Sequence, residues 1–194
     1  VTVSALAIFL VACGGADAPP EEPTVPQMEI VPNYRVISDA SEITIAATQQ
    51  GDVFTGSFGE FDAQIDFDAG DLPGSKVMVR IPLSSLELGS ADRNDAIPSK
   101  TWFNMRLHPI ATFESDAITE LGDGYQAEGY LTMKGLRRPV TLPFVLEQSG
   151  DQTVMRGQVE IDRTTWNLGE APWDTEEWVG HTVTINVTVT AERI

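Results

Sequence analysis

The chain has 194 residues, with 12 Lys and Arg against 29 Asp and Glu, a formal net charge of −17 and a pI near 4.2. A chain this acidic is repelled by nucleic acid and by anionic membrane surfaces, so nucleic acid is not expected as a partner and any membrane contact needs an anchor. One cysteine excludes an intrachain disulfide, and with two histidines it all but excludes an N/S-ligated structural zinc site.

The first segment, residues 1–12 (VTVSALAIFLVA), is short, apolar and uncharged. It reads as the apolar part of a signal peptide, without the usual Lys/Arg-rich start and too short to span a bilayer. It runs into Leu10-Val11-Ala12-Cys13-Gly14. That run resembles a bacterial lipobox, in which the Cys is lipidated and becomes the new N-terminus. An ordinary signal peptide that contains a Cys is the plainer alternative. Residues 13–32 then hold five prolines, four acids and no helical or strand period. This composition makes a solvated, semi-extended tether. The expected layout is therefore a signal (1–12), a lipidated Cys13 with its tether (13–32) and one folded domain (33–194). The expected location is the periplasm, anchored to the cell envelope, with the outer membrane favoured by Gly14 after the Cys. Four of the acids and none of the bases precede Asn33, so the folded part still carries −13.

From Tyr34 onward, short segments alternate with period two between Gly, Asp, Asn and Pro. Ile43, Ile45 and Ala47 share one face; so do Phe54, Gly56 and Phe58, and then Phe61, Ala63, Ile65 and Phe67. Val77, Val79, Ile81 and Leu83 repeat the pattern, as do Val140, Leu142, Phe144 and Leu146. The last run sets Val183, Ile185, Val187 and Val189 against threonines and Asn186. Successive side chains of a strand point to opposite faces, so these are strands with one wet and one dry side. An all-β sandwich or antiparallel barrel follows. Residues 91–105, with Pro98, break the alternation and predict short helical turns on either side of that proline. Residues 164–180 predict a loop rich in Trp and acids.

No catalytic constellation stands out. His108 and His181 are isolated, and the Asp66–Asp71 run lacks the closing Glu of a calcium loop. Asp174, Glu176 and Glu177 read as a wet loop rather than a paired acid and base. Neither enzymatic activity nor a metal or other cofactor is expected.

Several stretches together resemble the YceI-like family of bacterial lipid-binding proteins. They are residues 54–68 (FTGSFGEFDAQIDFD), 77–89 (VMVRIPLSSLELG), Trp102-Phe103-Asn104 with 109–113 (PIATF), 129–144 (GYLTMKGLRRPVTLPF) and 163–169 (RTTWNLG). The resemblance implies an eight-stranded antiparallel, lipocalin-like barrel with a short helical insertion. It implies a long apolar ligand inside, a polyprenyl chain as on isoprenoid quinones or another long amphiphile, and export to the periplasm. The loop Trp166–Trp178 is longer and more aromatic than the family pattern needs.

On this reading Phe58, Phe67, Phe103, Phe113, Leu142, Phe144 and Trp166 line or close the barrel interior, and Arg163 is either beside the ligand head or a structural cation stacked on an aromatic ring. Alternation alone favours a solid core packed by these rings, and the family resemblance reverses that order. An interaction or stress-response module with a side-chain-filled barrel is the alternative function. An enzyme using Arg163, the Trp cluster and nearby acids is a third, and the sequence does not name a protein partner. For a ligand head, Lys134, Arg137 and Arg138 form the one basic cluster, either a phosphate site or a solvated hairpin. Trp166, Trp173 and Trp178 offer flat faces for a quinone ring.

Overall fold

The structure, a computed structural model, describes residues 30–194. The expected signal, Cys13 and nearly all of the tether lie outside the described residues.

Eight antiparallel staves close into a barrel, and the first three are bent. β1 (Tyr34–Val36) and β2 (Glu42–Gln49) form one stave, broken by a 3-10 turn at Ser38–Ala40. β3 (Asp52–Phe58) bends through residues 59–61 into β4 (Asp62–Asp66). β5 (Lys76–Pro82) passes through a turn at Leu83–Ser85 into β6 (Leu86–Glu87). Helix α1 (Ala91–Ala96) follows. The other staves are unbroken: β7 (Ile110–Leu121), β8 (Gly124–Met133), β9 (Leu136–Ser149), β10 (Gln152–Asp162) and β11 (Thr182–Arg193).

The ring runs β1-β4-β5-β7-β8-β9-β10-β11 and returns to β1. β11 bridges the break in the first stave, pairing Thr184–Thr188 with β2 and Ala191–Arg193 with β1. Side chains satisfy the backbone groups that the break releases. Ser41 Oγ accepts from Thr190 N at 2.9 Å and donates to Ile37 O at 2.8 Å, while Thr190 Oγ1 donates to Ala40 O at 2.7 Å.

At the opposite end the wall continues as β2-β3-β6, and among the described residues β6 has no strand on its far side. Residues 88–109 fill that gap. Leu88, Ile97 and Phe103 from this insertion are buried in the main core. The helical turns expected around Pro98 are present: α1 before it, and hydrogen-bonded turns through residue 108 after it. Gly56 lets β6 cross β3, because a Cβ there would sit 2.7 Å from Glu87 O.

The inward faces read from the alternation are the inward faces of the barrel. Three strands had no clear alternation. β7 carries a bulge between Ser115 and Ala117, so its inward set shifts phase from Ala111 and Phe113 to the buried Ile118. β8 places Ala127 and Gly129, and β10 Thr153 and Gly157, on the same side as their apolar residues. Small or polar inner residues erase the hydrophobic period. Pro139 and Pro143 lie beyond the β9–β10 ladder, which ends at Phe144↔Gly157, so β10 takes no ladder pair with either.

Candidate functional site

The inward side chains do not fill the barrel. Ile45, Phe58, Phe61, Val79, Phe113, Val140, Val159, Ile185 and Val187 point inward yet are only half-buried. A close-packed interior would bury them. They enclose a lumen of two chambers. The narrow chamber has a volume of about 150 Å³, and of its lining residues only Tyr34 and Thr153 carry a polar side-chain atom. The wide chamber, about 540 Å³, lies between the strands, the 88–109 insertion and the 167–181 loop. Ile43, Ile81, Leu131 and Ile185 line both, and so form the waist between them. They come from β2, β5, β8 and β11.

The far end of the narrow chamber is floored by aromatic rings. Phe67 meets Tyr125 edge-on at 5.2 Å and Phe144 at 6.3 Å, and Tyr125 stacks on Phe144 at 5.5 Å. Asn33 fixes this floor, donating from Nδ2 to Phe67 O and accepting from Phe67 N.

The expected interior residues divide between the chambers. Phe67, Phe113, Leu142 and Phe144 line the narrow one, and Phe58, Phe103 and Arg163 the wide one. Trp166 lines neither. It is 2% exposed, packed in the core, with Nε1 donating to Leu131 O at 3.0 Å. The three loop tryptophans therefore do not form one platform. Trp173 reaches the wide chamber and meets Trp178 edge-on at 6.4 Å, while Trp178 is 41% exposed.

Arg163 is 2% exposed, and all its donors serve the main chain. Nε donates to Gly180 O at 2.9 Å, and Nη1 to Leu168 O and Gly169 O. Nη2 donates to Trp173 O at 2.6 Å and Val179 O at 2.7 Å. The guanidinium also lies 5.4 Å from the Trp102 ring centre. Gly169, at φ +77°, permits this approach, since a Cβ there would come within 2.9 Å of Trp102 and closer still to Arg163. Burial pushes the Arg163 pKa below its ordinary value, against the opposing charges of Asp162, Asp174 and Glu176. Arg163 is thus a clasp that holds the 167–181 loop across the wide end. Asp162 supports the turn before it, accepting from Thr164 N and Thr164 Oγ1, and these bonds hold its carboxyl below the ordinary aspartate value.

The basic cluster at the β8–β9 hairpin is engaged elsewhere. Lys134 Nζ donates to Asn167 O at 2.6 Å and pairs with Glu170 at 3.3 Å. Arg137 stacks on Tyr130 at 3.3 Å, and Arg138 Nε donates to Thr165 O. None of the three lines a chamber. The polar groups at the wide chamber that sequence reasoning missed are Gln49, Ser90, Asp92 and Arg93. They sit at a strand end and on a short helix, where no motif marks them.

Among the described residues no group of three His, Cys, Asp or Glu side chains is arranged to hold a metal ion. The site's chemistry is that of a deep apolar container with a polar rim at one end.

Residues 34–191 match the YceI-like domain. A UPF0312 protein of Yersinia pestis is 38% identical over 96 residues, 50% of each chain, and one of Pectobacterium atrosepticum is 36% identical over 96 residues. The chain spans about half the length of the curated relatives it matches. Among solved structures, BcnA of Burkholderia cenocepacia superposes with a TM-score of 0.77 at 30% identity, covering 80% of this chain and 99% of that one. A polyisoprenoid-binding domain from Saccharophagus degradans shares the fold, with a TM-score of 0.63 at 16% identity over 84% of this chain and 99% of that one. Because the family match covers nearly the whole described barrel, the chain belongs to the YceI-like domain family.

Proposed function

We propose that this protein is an exported, lipid-anchored carrier that holds one polyprenyl lipid, an isoprenoid quinone, inside its barrel. The observation that carries this reading is the two-chamber lumen, whose inward Ile, Val and Phe side chains stay half-buried. A wide chamber of about 540 Å³ falls within the range of ligand pockets. Burying a tail contributes roughly 0.8 kcal/mol per CH₂, partly offset by ordering it. Along β11 the lining residues run from Val183 to Ala191. At ~3.3 Å per residue and a tilt of ~40°, that is roughly 20 Å of lumen. An extended isoprene repeat spans roughly 4.5 Å, so about four repeats fit end to end. The Saccharophagus degradans domain, which binds polyisoprenoid, supports the ligand class.

The head is read as neutral. The folded part carries −13, and Lys134, Arg137 and Arg138 are engaged away from the chambers, which leaves a diphosphate only the wide chamber's Arg93 and Arg163 to offset that field. In a competition titration followed by Trp fluorescence, an isoprenoid quinone should displace a polyprenyl diphosphate of the same tail. A diphosphate that binds more tightly, with an advantage that shrinks as salt rises, refutes the quinone reading. The anchor rests on the lipobox-like run at Cys13, since two or three acyl chains hold a protein at a membrane where one does not. Cys13→Ala should move the protein from the membrane to the soluble periplasmic fraction; a variant that stays membrane-bound shows that Cys13 is not the anchor.

A further inference from the structure

The lumen is polar at one end only, and its two arginines differ in what they have left to offer. Arg163 spends its five N–H donors on carbonyls. Arg93, on α1, does not. Its Nε donates to Leu88 O at 3.0 Å, and one Nη1 donor goes to Gln49 Oε1 at 3.0 Å. A guanidinium has five N–H donors, so the rest take no protein acceptor among the described residues. Arg93 also has no carboxylate within ion-pair distance among them. The group is half-buried, and its carbon lies 4.5 Å from the Phe54 ring centre, which fixes its plane. Both Phe54 and Gln49 line the wide chamber with it. A stacked, braced guanidinium with spare donors at the rim of an apolar cavity is pre-organised to receive an acceptor oxygen.

We infer that Arg93, seated on Phe54 and braced by Gln49, binds the head of the lumen's ligand through an uncharged oxygen acceptor, a ring carbonyl or hydroxyl. This rests on the reading that the lumen holds a lipid, and it adds the ligand's direction. The head stays in the wide chamber beside α1, and the tail passes the Ile43–Ile81–Leu131–Ile185 waist toward the Phe67 floor. Asp92 lines the same rim and sets a negative charge beside Arg93, which disfavours a second anion there. A carbonyl or hydroxyl head gains the hydrogen bonds without that repulsion.

The test compares two probes with one tail, an isoprenoid benzoquinone and the headless isoprenoid hydrocarbon. Binding to the full chain is followed by Trp fluorescence. Arg93→Met keeps the apolar stem and removes the donors. It should weaken the quinone by about tenfold to a hundredfold, as for a hydrogen bond to a charged group, and leave the hydrocarbon within about twofold. Unchanged hydrocarbon binding also shows that the variant is folded. Should Arg93→Met fail to fold, Arg93→Lys decides: it should weaken the quinone several-fold and leave the hydrocarbon unchanged. Equal losses for both probes make Arg93 a clamp for α1 and overturn the inference, as does undiminished quinone binding. If the unmodified chain binds neither probe, the lipid reading itself fails.

Discussion

Ile185→Trp should abolish retention of a long isoprenoid while leaving the barrel folded. Ile185 sits at the waist and lines both chambers, so an indole there fills the space where the two meet. The tail then keeps only its contacts in the wide chamber. Losing even two isoprene repeats of burial forfeits several kcal/mol, so affinity for an isoprenoid quinone should fall by at least about a hundredfold. In a close-packed core the same change costs roughly 1–3 kcal/mol of stability from overpacking. Here the side chain is half-buried beside a cavity, and the cost should be under about 1 kcal/mol. Thermal unfolding without ligand and a binding titration together check it. A large loss of stability with ordinary binding would mean that the waist is solid and that ligands do not cross it.

Arg163→Met should destabilise the protein strongly and loosen the wide end. The guanidinium is 2% exposed and gathers the carbonyls of Leu168, Gly169, Trp173, Val179 and Gly180. Methionine matches its stem but leaves those acceptors without donors. Each unsatisfied buried group costs about 1–3 kcal/mol, and water reaching the loosened loop recovers part of it. A net loss on the order of 4 kcal/mol is expected, or roughly 10 °C in the melting midpoint. Trp173 and Trp178 ride on the released loop, so near-UV circular dichroism should change with it. Arg163→Lys keeps a charge but reaches fewer carbonyls, and should lose roughly half as much. A midpoint within about 2 °C of the unmodified protein would show that Arg163 is not the clasp.

The residues that made the fold legible are the branched and aromatic ones on inner faces. Val183, Ile185, Val187 and Val189 declare β11 because every inner position is large and every outer one polar. β10 has the same geometry, but Gly157 and Thr153 stand at inner positions and blur it. In β7 the bulge after Ser115 changes which residues face inward midway. The same limit governs the site. Parity put Phe58, Phe67, Leu142 and Phe144 on the inner wall, and the family resemblance marked Phe113. It did not say whether that wall encloses a core or a cavity, because both need the same alternation. The difference lies in the circumference of eight staves, which local sequence does not encode.

The roles of charged residues were less legible, because their partners come from distant segments. Lys134 looked like part of a free basic cluster until the turn at Thr101 and the loop at Asn167 and Glu170 closed on it. Arg163 looked available to a ligand until residues 168–180 folded back to take its donors. Arg93 gave no signal at all, since its importance comes from Gln49 and Phe54, about 40 residues earlier in the chain.

The central claim is that one apolar lipid occupies the lumen, and it is tested most directly on protein taken from cells that make polyprenyl lipids. The chain is purified in mild detergent, weighed by native mass spectrometry, and its bound lipid is extracted and identified. The account predicts a single adduct per barrel with the mass of an isoprenoid quinone. It should be lost on organic extraction and greatly reduced in Ile185→Trp. A protein that carries only its own mass and its anchor, and takes up no isoprenoid quinone when one is supplied, would contradict the account.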